Sequence, residues 1–540
     1  KSELHLRVRP GTDAALALAL CDQIIKDDLY DHEFVSCWCY GFDEFAEHVK
    51  KYTPAFAAET CGVPEDLIVE AARKIGRAKS CCLQWGVAMD HTSEGFITGM
   101  ACFDLMALTG NFEKPGTMVA ANPVWDMSVT WMPREKVWEG CSEPVKDQGR
   151  TMNFKYPALK AMAAISPDML LEAMETGVPY PPQMMWVHGT NPIANMGGDA
   201  PRIYRAWQNV PYTVVVDYYL TPTAVAFADL VLPVAMSVER DSFRSWWQPL
   251  RTMTAAAGRY YECMMDEELV FYLGKRFNPD FFNQFETVRD FLTWMIQDDG
   301  NGVPYTFEDL THTVYDYWDW NETYHKYEKG LLREDGQPGF VTATGMYEIS
   351  SPLFDVWGFD PLPHHMEPFE SPYRTPELYK EYPYIYTSGH RHIGLFHSEH
   401  RQLPTMREVH PTAIADISPE IAEEIGVKEG DWVWFENRRG KCKQQAHIAP
   451  GLMPNLVRAR HGWWFPEQEA AEPNLYGVFD CNGNNLTTMG VYGPTHYGAP
   501  YKSTLCKCYK VTPENDCSPS EIVTKGGGFG GYDYTRFEGD

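Results

Sequence analysis

Long apolar runs are absent from this sequence of 540 residues. No stretch approaches the roughly 20 consecutive apolar residues that a membrane-spanning helix requires, so no such helix is predicted. Positive charge is also scarce, because 46 lysines and arginines face 74 aspartates and glutamates, and the formal net charge is −28. Nucleic acids and anionic membrane surfaces attract basic proteins, so this balance argues against both as partners.

Cysteine pairs with the spacing of metal ligands are missing, although the chain has 14 cysteines. One residue separates Cys37 from Cys39, and one separates Cys506 from Cys508, so neither pair is of the C-x2-C kind. A chain of this length also does not depend on a disulfide scaffold. We therefore predict free thiols, as in a reducing or anaerobic setting, and not a cluster site.

Three short apolar runs alternate with helical segments between residues 184 and 241. The runs are Met184–Val187, Thr213–Val216 and Leu230–Leu232, and the segments Asp199–Gln208 and Thr223–Asp229 lie between them. Such alternation predicts β-α-β units and a parallel sheet that is buried on both faces.

Polar residues and a glycine follow the predicted strands. The run GTNP (189–192) leaves the first strand, Asp217 leaves the second, and residues 233–239 leave the third. Ligands of parallel sheets bind where loops leave the carboxyl ends of the strands. A glycine lets the backbone approach a phosphate, and an acidic residue can hold a ribose or a base edge. The sequence therefore predicts a nucleotide site, although this stretch contains neither GxGxxG nor GxxxxGK[ST].

Another candidate contact lies near the beginning of the sequence. Gly11 makes a turn in front of the Ala/Leu-rich segment 14–20, and Thr12 and Asp13 are natural N-caps for a helix there. The free N–H groups of a helix start favour phosphate, but an ordinary capped helix has the same sequence. These residues alone leave both interpretations open.

Other local patterns predict a helix over Tyr30–Tyr52, a second helix over Pro64–Ile75, and a strand over Ser80–Gly86. The second of these has apolar residues at helical spacing with a proline near its start. The third ends in a glycine and is followed by a loop that contains His91.

The runs WVHGTNP (186–192) and VVVDYYLTPTAVAFADLVLPVAMSVERD (214–241) resemble the catalytic subunits of the dimethyl sulfoxide reductase family. Members of that family are molybdenum or tungsten enzymes that carry two pyranopterin guanine dinucleotides. RPGTD (9–13), LTGNFEKPG (108–116) and TATGMYE (342–348) also match family motifs, the last of them as a hairpin. The order of these motifs along the chain carries the resemblance.

The resemblance implies an α/β fold with doubly wound parallel sheets in two dinucleotide-binding domains, the first incomplete, and a carboxyl-terminal β-barrel cap. Residues 1–115 are expected to end the first domain and 116–355 to form the second, with aromatic-rich insertions. Residues 356–515 are expected to form the cap, and 516–540 a glycine-rich tail.

The family also begins with a segment that is not recognisable in this sequence. No methionine, signal peptide or twin-arginine motif precedes Lys1. We therefore expect this sequence to be the carboxyl-terminal majority of a subunit. The resemblance implies that the molybdenum or tungsten ligand and a 4Fe-4S cluster belong to the missing amino-terminal segment.

A pyranopterin guanine dinucleotide requires carboxylates for guanine, backbone amides for phosphate, and polar side chains for the pterin. The resemblance implies that Asp13 and Asp217 contact guanine or ribose and that Thr12, Gly189 and Asn191 contact phosphate. The full set of implied cofactor contacts is Arg9, Gly11, Thr12, Asp13, Trp85, Gly86, His91, Asn122, Gly189, Thr190, Asn191, Pro192, Asp217, Thr221, Thr223, Asp229, Ser388, Gly389, Arg391, His397, Ser398, His461, Gly462, Trp463, Asn485 and Lys502.

Four residues are candidates for the chemistry itself. His91, Asp126 and His188 can act as general acids or bases, and supporting structural roles remain open for each. Trp125 stands near the expected active-site funnel, where formate dehydrogenases of the family have an arginine. This difference disfavours formate, since a carboxylate substrate favours a bidentate cation.

Three motifs, HGWWFPE (461–467), NLTT (485–488) and a closing YKSTLC (501–506), resemble most one branch of the family. That branch includes aromatic transhydroxylases, catechol dehydroxylases and acetylene hydratase. This resemblance implies reductive dehydroxylation or transhydroxylation of an aromatic, catechol-like substrate. Trp125, Trp131, Trp246 and Trp247 would suit such a substrate. Reduction of an oxyanion, a sulfur compound, or an N- or S-oxide is an alternative, and so is a non-catalytic fragment of a split enzyme.

The resemblance also implies partners for the expected enzyme. An iron–sulfur electron-transfer subunit and a small-molecule substrate are expected, and a membrane-anchor subunit is compatible with the family. The location stays open between the prokaryotic cytoplasm and a membrane-associated extracytoplasmic position.

Overall fold

The computed structural model describes residues 2–120, 152–153, 156–161, 165–244, 250–297, 303–315, 323–389, 394–490 and 493–526. Seven residues named in the predictions above therefore lie outside the described residues: Asn122, Trp125, Asp126, Trp131, Trp246, Trp247 and Arg391. The helices are α1 (Asp13–Lys26), α2 (His32–Trp38), α3 (Phe42–His48), α4 (Pro54–Cys61), α5 (Glu65–Arg77), α6 (Gly95–Leu108), α7 (Pro157–Ala161), α8 (Pro167–Thr176), α9 (Pro192–Asn195), α10 (Ala200–Trp207), α11 (Pro222–Phe227), α12 (Asp266–Phe277), α13 (Pro279–Phe282), α14 (Val288–Gln297), α15 (Pro352–Trp357), α16 (Pro376–Glu381), α17 (Pro404–Val409), α18 (Pro419–Glu424), α19 (Val478–Cys481) and α20 (Pro519–Thr524). The strands are β1 (Cys39–Tyr40), β2 (Met185–His188), β3 (Thr213–Asp217), β4 (Leu230–Pro233), β5 (Ser242–Arg244), β6 (Arg251–Met253), β7 (Tyr347–Glu348), β8 (Tyr384–Ser388), β9 (Ile414–Ile417), β10 (Trp432–Glu436), β11 (Lys441–Ile448), β12 (Leu456–Ala459) and β13 (Thr504–Lys510).

Helix α1 is the centre of the amino-terminal part. Its alanines and leucines are almost all buried, and it packs against α4, α5 and α6. Small side chains allow the helix axes to approach closely, so this segment forms one helical core with its own cluster of buried residues.

Three local predictions are wrong in this part. The predicted helix Tyr30–Tyr52 is divided into α2 and α3, because Gly41 has a φ of +83° that a helix interior cannot contain. Ser80–Gly86 is extended but pairs with no strand in the described chain; the amide of Cys81 donates instead to Asn111 Oδ1 (2.8 Å). Residues 342–348 form a turn and a short strand, but β7 pairs in parallel with the distant β1 and makes no hairpin.

A three-stranded parallel sheet, in the order β2-β3-β4, confirms the β-α-β interpretation. The central strand is buried on both faces, with Val215 packed among residues of α8 and α10 and with Val214 and Val216 against Leu269 of α12. The outer strands are more exposed than predicted, since Trp186 and Leu230 keep about two fifths of their surfaces accessible (39% and 41%). Burial on both faces therefore applies to β3 alone.

The carboxyl-terminal part contains a closed six-stranded barrel, as the fold prediction requires. Its strand order is β10-β11-β9-β12-β8-β13, with parallel pairing of β11 with β9 and of β12 with β8. Alternate residues of these strands point inward and form one buried cluster that includes Val433, Phe435 and Val457. Within the described ranges, no helix is both long and apolar enough to cross a membrane.

Candidate functional site

The carboxyl ends of β2 and β3 carry two loops that are joined by buried hydrogen bonds. Asn191 Oδ1 accepts from the amide (3.2 Å) and the hydroxyl (2.7 Å) of Thr223, and the hydroxyl of Thr223 accepts from the amide of Ile193 (3.2 Å). Both side chains are buried. This joint fixes residues 189–192 against residues 217–223, and we call these two loops together the sheet-edge cluster.

Asp217 ends β3 within this cluster. Its Oδ1 accepts from the amides of Tyr218 (2.7 Å) and Tyr219 (3.3 Å), while its Oδ2 has no hydrogen bond from the described residues. Burial raises the pKa of Asp217, and the nearby carboxylate of Glu399 raises it further. One carboxylate oxygen therefore remains for a donor from outside the chain.

A loop of the barrel domain, residues 394–400, lies against the sheet-edge cluster, and we call it the cap loop. Ser398 Oγ accepts from Asn195 Nδ2 (3.2 Å), and the carbonyl of Ser398 accepts from the indole of Trp464 (3.0 Å). His397 Nδ1 lies 3.2 Å from His461 Nε2, and His397 has a φ of +41°. Ser398 thus contacts the segment that follows the first sheet-edge loop, and His397 and His461 lie beside one another next to it.

Two asparagines and an aspartate that the sequence reasoning missed join the barrel to the sheet edge. Asn482 and Asn484 both donate to the carbonyl of Ala194 (2.9 Å each), and Asn482 Oδ1 accepts from the amide of Gly462 (2.8 Å). Asp199 Oδ2 accepts from the hydroxyl of Thr488 (2.8 Å) and the amide of Met489 (2.8 Å). The contacts between the barrel and the sheet edge join residues that are 288 to 290 positions apart in the sequence. The sequence signal for them was the density of asparagine at 482–485.

A second group of predicted residues gathers at the start of α1. A small cavity there is lined by Gly11, Ala14, Glu94 and Ser503, among others. Thr12 is buried, and its hydroxyl donates to the carbonyl of Arg9 (2.7 Å). The prediction that its side chain caps α1 is therefore wrong. We call residues 11–14, 92–98 and 502–503 the helix-start cluster.

Arg9 and Asp13 differ in whether other residues of the chain occupy the polar atoms of their side chains. Both terminal nitrogens of Arg9 bind the carboxylate of Glu367 (2.7 and 2.8 Å), and its Nε donates to the carbonyl of Thr60 (2.8 Å). Arg9 therefore holds the chain together at this point and has little capacity for a ligand. Burial raises the pKa of Asp13, the first residue of α1.

The end of the barrel meets the helix-start cluster. Lys502 Nζ donates to the carbonyl of Ser388, and the amide of Gly389 donates to the carbonyl of Ala459 (3.0 Å). Ser503, the neighbour of Lys502, lines the cavity beside Gly11. Lys502 thus links the predicted contact Ser388 to the segment that borders the cavity at the start of α1.

Glu94 is a buried carboxyl group in this second cluster that the sequence did not single out. Its oxygens accept from the amide (3.0 Å) and the hydroxyl (2.7 Å) of Thr495. Burial raises the pKa of Glu94 to about 7, although these hydrogen bonds oppose the shift. The ring of His91 lies 5.2 Å from the ring of Tyr501, the neighbour of Lys502. Trp85 is half-exposed and packs edge-on against Phe103, and the neighbouring Gly86 is exposed.

His188, a candidate acid or base, uses both of its ring nitrogens inside the chain. The indole of Trp186 donates to His188 Nδ1 (3.3 Å), so Nδ1 accepts and Nε2 carries the proton that is donated to Asp266 Oδ1 (2.5 Å). Asp266 is also paired with Arg240. This chain of contacts orients the first turn of α12 and leaves His188 little freedom for proton transfer.

Six other predicted contacts have known positions, and most of them hold the fold together. Asp229 lies at the opposite, amino-terminal end of the sheet, where its carboxylate accepts from the amide of Thr213 (2.8 Å). Thr221 caps α11, and Asn485 donates to the carbonyl of Lys441 (3.0 Å) inside the barrel. Trp463 is fully buried. Pro192 is the first residue of α9, and Thr190 is exposed in the loop before it.

The sheet-edge cluster fits a guanine dinucleotide by its unused polar groups. Asn191 Nδ2 is buried and has no hydrogen-bond partner among the described residues. Gly189 is exposed with a φ of +59° and open space where a side chain would stand. Together with Asp217 Oδ2 they offer an N–H donor, an approachable backbone and a carboxylate, which phosphate and guanine need. Among the described residues, no group of three His, Cys, Asp or Glu side chains could hold a metal ion.

Comparison with known families agrees with this geometry. The model described as molybdopterin oxidoreductase matches residues 2–246, and the molybdopterin dinucleotide-binding domain matches residues 384–505. The first range contains the sheet-edge loops, and the second contains the cap loop.

Individual relatives share about a quarter of their residues with the chain. It is 27% identical to acetylene hydratase of Syntrophotalea acetylenica over 87% of its own length and 65% of that protein. It is 26% identical to dopamine dehydroxylase of Eggerthella lenta (88% and 53%) and 26% identical to dimethyl sulfoxide reductase DmsA of Escherichia coli (93% and 65%). The chain thus spans between about half and two thirds of these relatives.

A solved structure supports the same assignment. Acetylene hydratase from Pelobacter acetylenicus superposes with a TM-score of 0.79 and 25% identity over 94% of this chain and 72% of that chain. The parallel sheet, the closed barrel, both family models and this superposition agree with one another. The chain belongs to the molybdopterin oxidoreductases of the dimethyl sulfoxide reductase family.

Proposed function

We propose that this chain is the greater part of a catalytic subunit that binds two pyranopterin guanine dinucleotides around molybdenum or tungsten. One dinucleotide would occupy the sheet-edge cluster and the other the helix-start cluster. The observation that carries the proposal is the Asn191–Thr223 joint, together with the hydrogen bond from the amide of Gly189 to the carbonyl of Val216 (2.9 Å), which sets Gly189 beside Asp217.

Each residue of the sheet-edge cluster has a distinct task in this proposal. Asp217 Oδ2 accepts hydrogen bonds from guanine, and the lack of a side chain at Gly189 leaves room for phosphate. Asn191 Nδ2 supplies a further donor, while its Oδ1 stays occupied by Thr223. When bound, the metal and its two pterins supply two-electron redox chemistry, and the protein orients and tunes them.

In the second cluster, the start of α1 and Lys502 would face the other dinucleotide. Asp13 would accept from guanine or ribose, and Lys502 contributes a positive charge. We assign His91 to hold or move a proton, because its ring stands beside Tyr501 and His188 has both nitrogens engaged.

For the reaction, we propose reductive dehydroxylation or transhydroxylation of an aromatic, catechol-like substrate. The support is the relationship to dopamine dehydroxylase together with the motifs at 461–467 and 485–488. Electrons would arrive from an iron–sulfur subunit through a 4Fe-4S cluster. The second candidate is reduction of an S-oxide, which the relationship to dimethyl sulfoxide reductase favours.

Cofactor retention tests the assignment of the sheet edge. Asn191→Ala and Asp217→Ala should each lower the guanine dinucleotide content of the purified protein, because each removes a polar group aimed at the site. Asp229→Ala is the matched control, since this carboxylate lies at the other end of the sheet. Full retention in both variants, measured by mass spectrometry of acid extracts, would overturn the assignment.

A substrate panel separates the two reactions. The holoenzyme, supplied with a low-potential one-electron donor, should oxidise that donor when catechols are added and should release a monophenol. Dimethyl sulfoxide is the comparison substrate. Turnover with dimethyl sulfoxide and none with any catechol would reject dehydroxylation in favour of the second candidate.

A further inference from the structure

Three arginines surround one buried tryptophan beneath the cap loop. The guanidinium carbons of Arg401, Arg407 and Arg460 lie 4.8, 5.6 and 5.5 Å from the ring centre of Trp463. Trp463 is 0% exposed and Arg401 only 2%. Cation–π contacts of this kind stabilise a desolvated guanidinium, but they do not neutralise its charge.

The charge of Arg401 is only weakly compensated. Burial is the main cause that lowers the pKa of Arg401 to about 9; the charge of Arg407 contributes to the lowering, whereas Cys481 and the carboxylate of Glu399 oppose it. Arg407 is paired with Glu467 (2.5 Å), whose side chain is more than half exposed. The Cys481 thiol borders both guanidinium groups, but burial raises its pKa well above the ordinary value and keeps it neutral.

Several N–H groups of the two arginines also lack acceptors. Arg401 Nε and Arg407 Nε and Nη1 are buried without hydrogen-bond partners in the described chain. Burying charged donors in this way costs free energy unless an anion or a strong acceptor compensates them. The protein as a whole has a net charge of −28, so a buried excess of positive charge here is a local feature.

Arg401 is connected directly to the cap loop. Its Nη1 donates to the carbonyl of Glu399 (2.8 Å), next to Ser398, whose hydroxyl faces Asn195 of the sheet edge (3.2 Å). The guanidinium therefore lies behind the backbone that carries His397 and Ser398. Removing it would release that backbone and would also remove a positive charge from beneath the loop.

We propose that Arg401 is a positioning residue for the dinucleotide, holding the cap loop through Glu399 and supplying positive charge behind the loop that selects for phosphate. This inference rests on the proposed function and extends it to a residue that does not itself touch the ligand. Because the effect is electrostatic, it should favour a nucleotide with phosphates over the same nucleoside without them.

The test compares GDP with guanosine as probes on the full chain freed of cofactor, by titration calorimetry at low ionic strength. Arg401→Gln keeps a donor for the Glu399 carbonyl but removes the charge, whereas Arg401→Lys keeps the charge. Arg401→Gln should weaken the affinity for GDP about tenfold and should change the affinity for guanosine by less than about twofold. Arg401→Lys should keep the preference for GDP, and so should Arg251→Gln, an exposed arginine on β6.

Three results would overturn the inference in distinguishable ways. An unchanged ratio of GDP to guanosine affinity in Arg401→Gln would show that its charge does not act on phosphate. If both Arg401→Gln and Arg401→Lys weakened the affinities for GDP and for guanosine equally, the role of Arg401 would be structural only. Absence of GDP binding by the wild-type chain would reject the nucleotide site itself, and with it the proposed function.

Discussion

At the scale of single residues, hydrogen-bond partners decide which polar side chains can serve a ligand. Asn191 and Thr223 satisfy one another and still leave Asn191 Nδ2 unpaired, so Asn191 is both a structural joint and a candidate contact. Arg9 and His188 have the right chemistry for binding or catalysis, but internal carboxylates occupy them. Residue type and position were predictable from the sequence, whereas these partners, which come from distant segments, were not.

Glu94 allows a pH-dependent prediction at this scale. Its folded pKa of about 7 lies above the value of 4.5 expected when unfolded, so its contribution to stability is fully present below pH 4.5. That contribution is lost as the pH rises towards 7. Wild type should therefore lose up to about 3 kcal/mol of unfolding free energy between pH 4.5 and 8 relative to Glu94→Gln.

Chemical denaturation of both proteins across this range measures the difference. Glutamine has nearly the same shape and does not titrate, so it isolates the ionisation of Glu94 from the hydrogen bonds around it. Parallel pH profiles for the two proteins would mean that Glu94 titrates as it does in water.

At the scale of elements, periodicity predicted the β-α-β unit within one or two residues at each end. Met184–Val187 was predicted where β2 is Met185–His188, and Asp199–Gln208 where α10 is Ala200–Trp207. The predictions failed where a distant segment of the chain determines whether a strand or helix forms. Ser80–Gly86 has the pattern of a strand, but a strand needs a ladder partner, and the described chain provides none there.

The loop before α10 provides a test at this scale. A Cβ on Gly198 would lie 2.9 Å from backbone atoms of Thr487 and Thr488, which cannot move without disturbing the joint made by Asp199. Gly198→Ala should therefore lower the unfolding free energy by about 1–3 kcal/mol.

Gly99→Ala, in the middle of α6, is the matched control because a Cβ there meets nothing within 4 Å. It should be neutral or should stabilise the chain by about 0.5–1 kcal/mol, since alanine favours a helix. If Gly198→Ala were as stable as Gly99→Ala in thermal and denaturant unfolding, the barrel would not be packed tightly on this loop.

At the scale of the whole molecule, the candidate sites exist only because the barrel domain packs on the sheet. Asp199 meets Met489 and Asn195 meets Ser398 near the sheet edge, and Glu94 meets Thr495 in the helix-start cluster. The second wall of each cluster is therefore contributed by residues some 200 to 400 positions away. The family resemblance anticipated that the two halves meet, and it identified many of the residues near the junction. It did not indicate that the predicted contact Asp229 lies at the far end of the sheet.

The most direct test of this account is the cofactor content of the protein purified natively and without air. Metal analysis, iron analysis and mass spectrometry of extracted pterins should show two guanine dinucleotides and one molybdenum or tungsten for each polypeptide. A correctly folded protein that contains neither pterin nor metal, and that takes up no guanine dinucleotide when this is supplied, would contradict the account.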